Sequence, residues 1–305
     1  VAKNNKSIYS ALAANILIAV TKFIAGGISN SSSMISEGIH SMVDTVNQLL
    51  LLYGLKQSHK AADSQRPFGY GKELYFWSFI VSILIFGLGG GISIYEGIQH
   101  IIHPEPLQDP TWNYVVLGFS MLLEGWSFVV AVREFNSVRN GLSWWDAIVK
   151  SKDPSSFLVL FEDGAAVLGL LIVLGFMLVG HHFDIDYLDG IASVLVGLLL
   201  VLVSAILARE SRSLLMGEGI TQETKDKIKL LAEQDAAVLS VPDILSTYQS
   251  PEEVLLMLIC VFRPDLHTED ITDSISRVRD AVKVAFPFAK FVFIQPQIDE
   301  QSDLK

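Results

Sequence analysis

The stretch SMISEGIHSMVDTVNQLLLLYGL, Ser33–Leu55, decides the reading of the fold. It is long enough for a helix to cross the ~30 Å hydrocarbon layer of a bilayer, yet it carries Glu37, His40, Asp44 and Asn47. These four recur at i, i+3, i+7 and i+10, a spacing that places all of them on one face of one helix. Ionisable groups inside a bilayer are costly and by default mark a substrate path. His40 and Asp44, one turn apart, can close on a single ion with an imidazole nitrogen and a carboxylate oxygen. The competing reading is an interhelical hydrogen-bond patch. A His and two carboxylates on one stripe favour ion handling over that patch.

Working outward, five more apolar stretches of similar length occupy the first 215 or so residues: Ile8–Ile28, Tyr75–Ile98, Trp112–Val132, Ser156–Val179 and Leu188–Leu207. Gly87, Gly89, Gly90 and Gly91 in the third of the six are the small residues that let transmembrane helices approach closely. Trp77, Trp112, Trp144 and Trp145 fall near the ends, where interfacial aromatics belong. The 305 residues are 50% hydrophobic and 18% charged, against about 25% charged in a soluble domain. That balance argues against a soluble cytosolic enzyme, and no nucleophile–base pair argues for a membrane one. A net charge of −11 without a basic stripe argues against nucleic acid. Cys260 is the only cysteine, so there is no disulfide framework and no CxxC knuckle. The absence of a G-x-x-x-x-G-K-[ST] loop argues against nucleotide hydrolysis within the chain. The opening at Val1, with no signal-peptide pattern, fits a numbering that starts inside a longer precursor.

Lysine and arginine sort by loop. Lys3 and Lys6 precede the first stretch; Lys56, Lys60, Arg66 and Lys72 follow the second; Arg133, Arg139, Lys150 and Lys152 follow the fourth; Arg209 and Arg212 follow the sixth. The loops around Asn30, His103–Asp109 and Gly180–Asp186 carry none. The positive-inside rule then puts both termini in the cytoplasm of a multi-pass protein. Beyond Gly217 the texture is that of soluble protein. Thr221 is placed to cap a helix that buries Ile228 and Leu231. Ile244–Tyr248 and Val254–Phe262 read as strands, the second continuous enough to be buried. Thr268, followed by Glu269 and Asp270, opens a helix with Ile271, Ile275, Val278 and Val282 on one face. Pro287 ends it, and Phe291–Ile294 is a last strand. The expectation is six transmembrane helices over 1–216 and a cytoplasmic α-β-β-α-β domain over 217–305.

Elsewhere in the membrane part, Glu162 and Asp163 are adjacent acids in the fifth stretch. Lys22 is the cation available to pair with one of them, or else it snorkels to the outer interface. Asn15, Glu124 and Asp189 complete the polar set, with helix packing or a water-lined vestibule as their role, and Glu124 is the one best suited to handle protons. Gly69-Tyr70-Gly71-Lys72 reads as a turn. Asn30-Ser31-Ser32 matches a glycosylation sequon close to the membrane. His181, His182, Asp184 and Asp186 read as a solvated loop, with cation gathering as the alternative.

These features together resemble the cation diffusion facilitator family of metal-ion/proton antiporters. The resemblance rests on the six stretches, Ser-Glu-Gly-Ile-His-Ser-Met-Val-Asp at 36–44, Arg-Pro-Phe-Gly-Tyr-Gly-Lys-Glu at 66–73, and the tail, and it implies a ferredoxin-like fold for that tail. It further implies a tetrahedral site built from an H/D-x-x-x-D pair on each of two helices: His40 with Asp44, and Asp163 as the second residue of the other pair. Where the family places His or Asp one turn before Asp163, Val159 stands, and the acid sits at Glu162, as in the branch that includes the mitochondrial zinc transporter. Consecutive helical residues point about 100° apart, so Glu162 is expected to look sideways from a face shared by Val159 and Asp163, its longer side chain sweeping toward the ion. The expected metal set is His40, Asp44, Asp163 and Glu162, with Glu37, Asn47 and Glu124 in proton coupling or support. One His and several carboxylates form a harder set than two His, less biased toward zinc over manganese or iron. The resemblance implies a transporter exporting a divalent transition metal, zinc foremost and Mn, Fe, Co or Cd as others, against protons, with no cofactor of its own. The alternative is a transport-deficient accessory or scaffold subunit. The His positions of a second zinc site are replaced by Arg66 and Tyr70, which leaves Asp63. His267 is the only His of the tail, so a tail that dimerises rather than binds metal is expected, with Ile271 and Val278 as its apolar ridge.

Overall fold

The structure, a computed structural model, describes residues 5–104, 111–139, 141, 143–144, 147 and 154–297, with the side chains of 5–14, 138 and 154–156 left aside. Lys3, Asp109, Trp145, Lys150 and Lys152 lie outside the described residues. The chain divides into two compact units, Val1–Lys56 with Leu74–Arg212, and Gln57–Glu73 with Ser213–Lys305.

The first unit is all helical: α1 (Asn5–Ser29), α2 (Ser32–Ser58), α3 (Glu73–Leu84), a π-helical turn at Ile85–Gly91, α4 (Ile92–Ile102), α5 (Thr111–Val138), α6 (Pro154–Phe183) and α7 (Tyr187–Met216). Among the described residues, four helices, Glu73–Ile102, Thr111–Ser137, Phe157–Phe183 and Tyr187–Met216, are long and apolar enough to cross a membrane. The chain is an integral membrane protein. Of the six expected spans, α1 is an apolar helix whose described side chains begin at Asn15, and α2 falls short on composition because it carries the polar stripe. That stripe faces inward: Glu37, His40, Ser41, Thr45 and Asn47 are all buried. The apolar core around it includes Met34, Val43, Leu117, Leu158, Leu170 and Leu200.

The glycine run in the third stretch serves two purposes. Its weak helix propensity accommodates the wider π turn. It also opens a close crossing against α7, where a Cβ on Gly90 would come within 3.0 Å of the Gly197 carbonyl and one on Gly97 within 2.6 Å of the Gly190 carbonyl. At the start of α7, Asp189 satisfies the first turn of α2. Its carboxylate accepts from Ser31 Oγ at 2.8 Å, Ser32 Oγ at 3.0 Å, the Ser33 amide at 3.1 Å and Ser33 Oγ. Amide donors left over at a helix start are stabilised by a nearby anion, which settles Asp189 as a packing residue. Ser31 and Ser32 are buried in that contact, so the Asn30 sequon is built into the bundle. His181, His182 and Asp184 are exposed, but only Asp184 lies in the connecting turn; the two histidines, expected in a loop, belong to the last turn of α6, which runs on to Phe183.

The second unit is the ferredoxin-like α+β arrangement: α8 (Gln222–Ala232), β1 (Val238–Ser250), β2 (Glu253–Phe262), α9 (Thr268–Ala285) and β3 (Phe291–Gln297). Thr221 caps α8, accepting from the Thr224 amide at 3.4 Å, and Asp270 accepts from the His267 amide at 3.0 Å to open α9. The sheet order is β1-β2-β3. β1 and β2 pair antiparallel, with Ile244 opposite Leu258, while β2 and β3 pair parallel across α9, with Leu256 opposite Val292. β1 starts earlier than Ile244 because irregular registers between Val238 and Asp243 carry it past Pro242. The apolar run of β2 is buried on one face, at Val254, Leu256, Leu258 and Cys260, and half-buried on the other at Leu255, Met257 and Ile259. Those residues, with Ile228, Val278 and Val282, form a core separate from that of the helices. Val278 is buried and Ile271 packs against this core, so the pair expected to form an exposed apolar ridge instead holds α9 to its own sheet.

The sequence-based boundary at 216/217 misses one participant in this unit, the segment Gln57–Glu73. The Phe68 ring meets Phe291 at 5.3 Å and Phe293 at 6.4 Å between centroids, both edge-on. Gly71 packs so closely that a Cβ there would lie 2.4 Å from the Gln249 carbonyl. The turn expected at Gly69–Lys72 is present, with Gly69 at φ +87° and the Glu73 amide bonded to the Tyr70 carbonyl at 2.9 Å. The Asp63 carboxylate accepts from the Tyr70 hydroxyl at 2.6 Å and from the amides of Gln65 and Arg66. That hydroxyl and those amides hold its carboxyl below the usual range, so Asp63 is already engaged within its own loop.

Candidate metal-transport site

The site is built where α1, α2, α5 and α6 meet. A cavity of about 250 Å³ is lined by Asn15, Ile18, Ser41, Asp44, Gln48, Leu123, Glu124, Ser127, Glu162, Asp163 and Ala166. Three of the four expected metal-set residues, Asp44, Glu162 and Asp163, thus reach one cavity, and so does Glu124. The fourth, His40, meets Asp44: its Nε2 lies 3.5 Å from Asp44 Oδ2, the i,i+4 approach that the helical spacing predicts. Asn15 ties α1 to α2 beside the same cavity, donating to Gln48 Oε1 at 3.2 Å.

Each acid on α6 has a partner that fixes its direction. Asn47 Nδ2 donates to Glu162 Oε1 at 2.7 Å, and Ser127 Oγ donates to Asp163 Oδ2 at 2.7 Å. Glu162 does not look sideways as expected. It is buried on the inward stripe with Leu158, Ala165 and Ala166, whereas Val159 is 40% exposed and turned away from the bundle. The helix is rotated relative to the expected Val159–Asp163 face, so that Asp163 stands at the margin of the stripe, toward α5. Asn47 therefore supports Glu162 directly, a pairing across 115 residues that no spacing on a single helix contains.

Lys22 also departs from both readings of it. It neither snorkels nor pairs with Glu162 or Asp163. Its Nζ is fully buried and donates to Glu37 Oε2 at 3.0 Å, Ser41 Oγ at 2.9 Å and Glu124 Oε1 at 2.8 Å. A buried ammonium is tolerable only with all of its donors satisfied, and here they are. Glu37 thereby becomes part of an ion network joining α1, α2 and α5. A Cβ on Gly169 of α6 would come within 2.7 Å of the Glu37 Oε1 atom.

Among the described residues, no three His, Cys, Asp or Glu side chains converge closely enough to hold a metal ion as they stand. The hydrogen bonds from Asn47 and Ser127 explain part of this, since each occupies a carboxylate oxygen. Others stay open: Asp44 Oδ1, His40 Nε2 and Glu124 Oε2 are buried without a hydrogen-bond partner among the described residues. An acceptor buried without a donor costs about 1–3 kcal/mol. The open carboxylate oxygen of Asp44 and the imidazole nitrogen of His40, beside a polar cavity, are donors of the kind a divalent transition metal takes.

Residues 8–216 match the family model of the cation efflux transmembrane domain. The chain is 35% identical over 244 residues to the human "Proton-coupled zinc antiporter SLC30A9, mitochondrial", covering 79% of this chain and 43% of that protein. It is 34% identical over 250 residues to "Metal tolerance protein C4" of Arabidopsis thaliana, covering 81% of this chain and 55% of that protein. It is 21% identical over 289 residues to the "Cation-efflux pump FieF" of Shewanella oneidensis, covering 95% and 92%. The chain thus spans about half the length of the human and plant relatives. With a helical membrane unit matched over more than 200 residues and acids from three of its helices gathered on one cavity, the chain belongs to the cation efflux, or cation diffusion facilitator, family.

Proposed function

We propose that this chain is a secondary transporter that moves a divalent transition-metal cation, zinc foremost, out of the cytosol in exchange for protons. The observation that carries this reading is the convergence of Asp44, Glu162 and Asp163 on one cavity inside the membrane unit. His40, held 3.5 Å from Asp44, completes the set. Loading requires Asp44 and His40 to turn from each other toward the ion, and Asp163 to exchange the Ser127 hydroxyl for it. Acids that surrender a divalent cation are natural proton acceptors, so metal release and proton uptake are two sides of one event. In this reading all six apolar helices span, both termini lie in the cytoplasm, and two copies associate.

The test is flux into proteoliposomes under an imposed proton gradient, with Zn, Mn, Fe, Co and Cd offered separately. Zinc flux that follows the gradient and is lost in Asp44→Ala supports the proposal; gradient-independent flux, or none, overturns it. A second reading, a transport-deficient accessory subunit, is favoured by the absence of a pre-assembled three-ligand site among the described residues. Zinc binding without flux would establish it.

A further inference from the structure

Four carboxylates reach the cavity: Asp44, Glu124, Glu162 and Asp163. Among the described residues, one of them is held by a lysine or arginine. Glu124 gives Oε1 to Lys22 at 2.8 Å, while its Oε2 is buried with no hydrogen-bond partner among the described residues. The same ammonium holds Glu37 at 3.0 Å and spends its third donor on Ser41. Lys22 is 0% exposed, so water does not share its charge.

A carboxylate neutralised by a fixed ammonium competes poorly for a second cation, because the incoming ion meets both the repulsion of the lysine and the cost of breaking a charge-assisted hydrogen bond. Each oxygen donor added to a site favours harder ions, manganese over zinc. We propose that Lys22 sets metal selectivity as a positioning residue. It stands in for a cation at Glu124 and withholds that side chain from the transported ion, leaving Asp44, Glu162 and Asp163 as the carboxylates the ion meets. This rests on the transporter reading above. The plainer role, a staple between α1, α2 and α5, makes a different prediction.

Two double variants separate the roles. Lys22→Gln/Glu37→Gln and Lys22→Gln/Glu124→Gln both remove the ammonium and one of its carboxylates, so the network keeps the same net charge and loses the same number of ion pairs. Only the first leaves Glu124 free to bind metal. The full chain in lipid nanodiscs is titrated calorimetrically with Zn2+ and with Mn2+. Selectivity withheld by Lys22 shifts the ratio of the two dissociation constants about tenfold or more toward Mn2+ in the first variant and keeps it within about threefold of the native ratio in the second. Lys22→Arg keeps the native ratio. Equal ratios in the two double variants overturn the proposal. If the first variant does not fold, Glu124→Gln in the native background decides: a tenfold loss of Mn2+ preference there shows that Glu124 is already a ligand and overturns the proposal, while an unchanged ratio supports it. Wild-type chain that binds neither ion overturns the transporter reading as well; wild-type binding with equal ratios in the two double variants overturns the role of Lys22 alone.

Discussion

Glu162 and Asp163 are neighbours in sequence with different surroundings. Glu162 lies on the buried stripe of α6 and takes the Asn47 amide, whereas Asp163 faces α5 and takes the Ser127 hydroxyl. A serine hydroxyl rotates away more readily than a buried amide, so Asp163 is the better placed of the two to receive the ion directly. Glu162→Gln keeps a group that can pair with Asn47 and is expected to weaken zinc binding no more than about tenfold, ~1.4 kcal/mol. Asp163→Asn is expected to weaken it about a hundredfold or more, ~2.7 kcal/mol. Calorimetric titration of both variants checks the order, and a reversed order reassigns the two acids. Asn47→Leu leaves Glu162 Oε1 buried without its donor, which costs about 1–3 kcal/mol. Its melting temperature in detergent should fall even without metal.

At the scale of elements, the crossing of the α3–π–α4 span over α7 depends on two pairs of glycines, Gly90 with Gly197 and Gly97 with Gly190. Dispersion between closely packed backbones is a main source of helix association in a bilayer, where the hydrophobic effect contributes little. Gly190→Val places a branched side chain where even a Cβ meets the Gly97 carbonyl at 2.8 Å. The helices must separate, and the variant is expected to lose thermal stability in detergent and to aggregate on heating. Gly175→Ala in α6 is the control, since a Cβ there meets nothing within 4 Å, and its melting temperature should hold or rise slightly. A Gly190→Val protein that melts like Gly175→Ala would show that the crossing is not formed.

At the scale of the whole molecule, the number of ions the chain takes turns on whether the second unit holds one as well. His267, the only histidine after Gly217, stands at the start of α9, and burial pushes the Cys260 thiol up to about 11, away from the thiolate that zinc requires. Zinc stoichiometry measured on the full chain should therefore be unchanged in a His267→Ala/Cys260→Ala variant, and a lost equivalent would place a second site there. The same unit carries a pH-dependent contact. Asp235 accepts from Arg277 Nε at 2.8 Å and Nη2 at 3.1 Å, and chiefly this guanidinium holds its carboxyl below the ordinary range. A group lowered on folding adds stability that is fully present above the unfolded value of about 3.9 and is lost as pH falls through the lower folded value. Asp235→Asn should thus increase amide exchange in α9 at pH 7, with the difference from native protein narrowing below about pH 4. A difference that persists there would assign the effect to packing.

What the sequence determined by itself is whatever depends on neighbours along one helix or strand. The apolar lengths, the i,i+4 approach of His40 to Asp44, the Thr221 cap, the turn at Gly69–Lys72 and the α-β-β-α-β order are all local, because 3.6-residue and two-residue periodicities act within a few residues of each position. Tertiary structure decided the rest. The rotation of α6 that buries Glu162 and turns Val159 outward depends on which helices flank it, and Leu158, Ala165 and Leu170 on its inner side outweigh the polarity of a single acid. The choice of Glu37 and Glu124 as partners for Lys22 joins residues 15 and 102 positions apart, which no pattern along the chain expresses. The placement of Gln57–Glu73 with the sheet is of the same kind: Phe68 finds Phe291 only after α9 has brought β3 alongside β2. An apolar or charged side chain carries in sequence a demand for a partner, and only the assembled fold names which one.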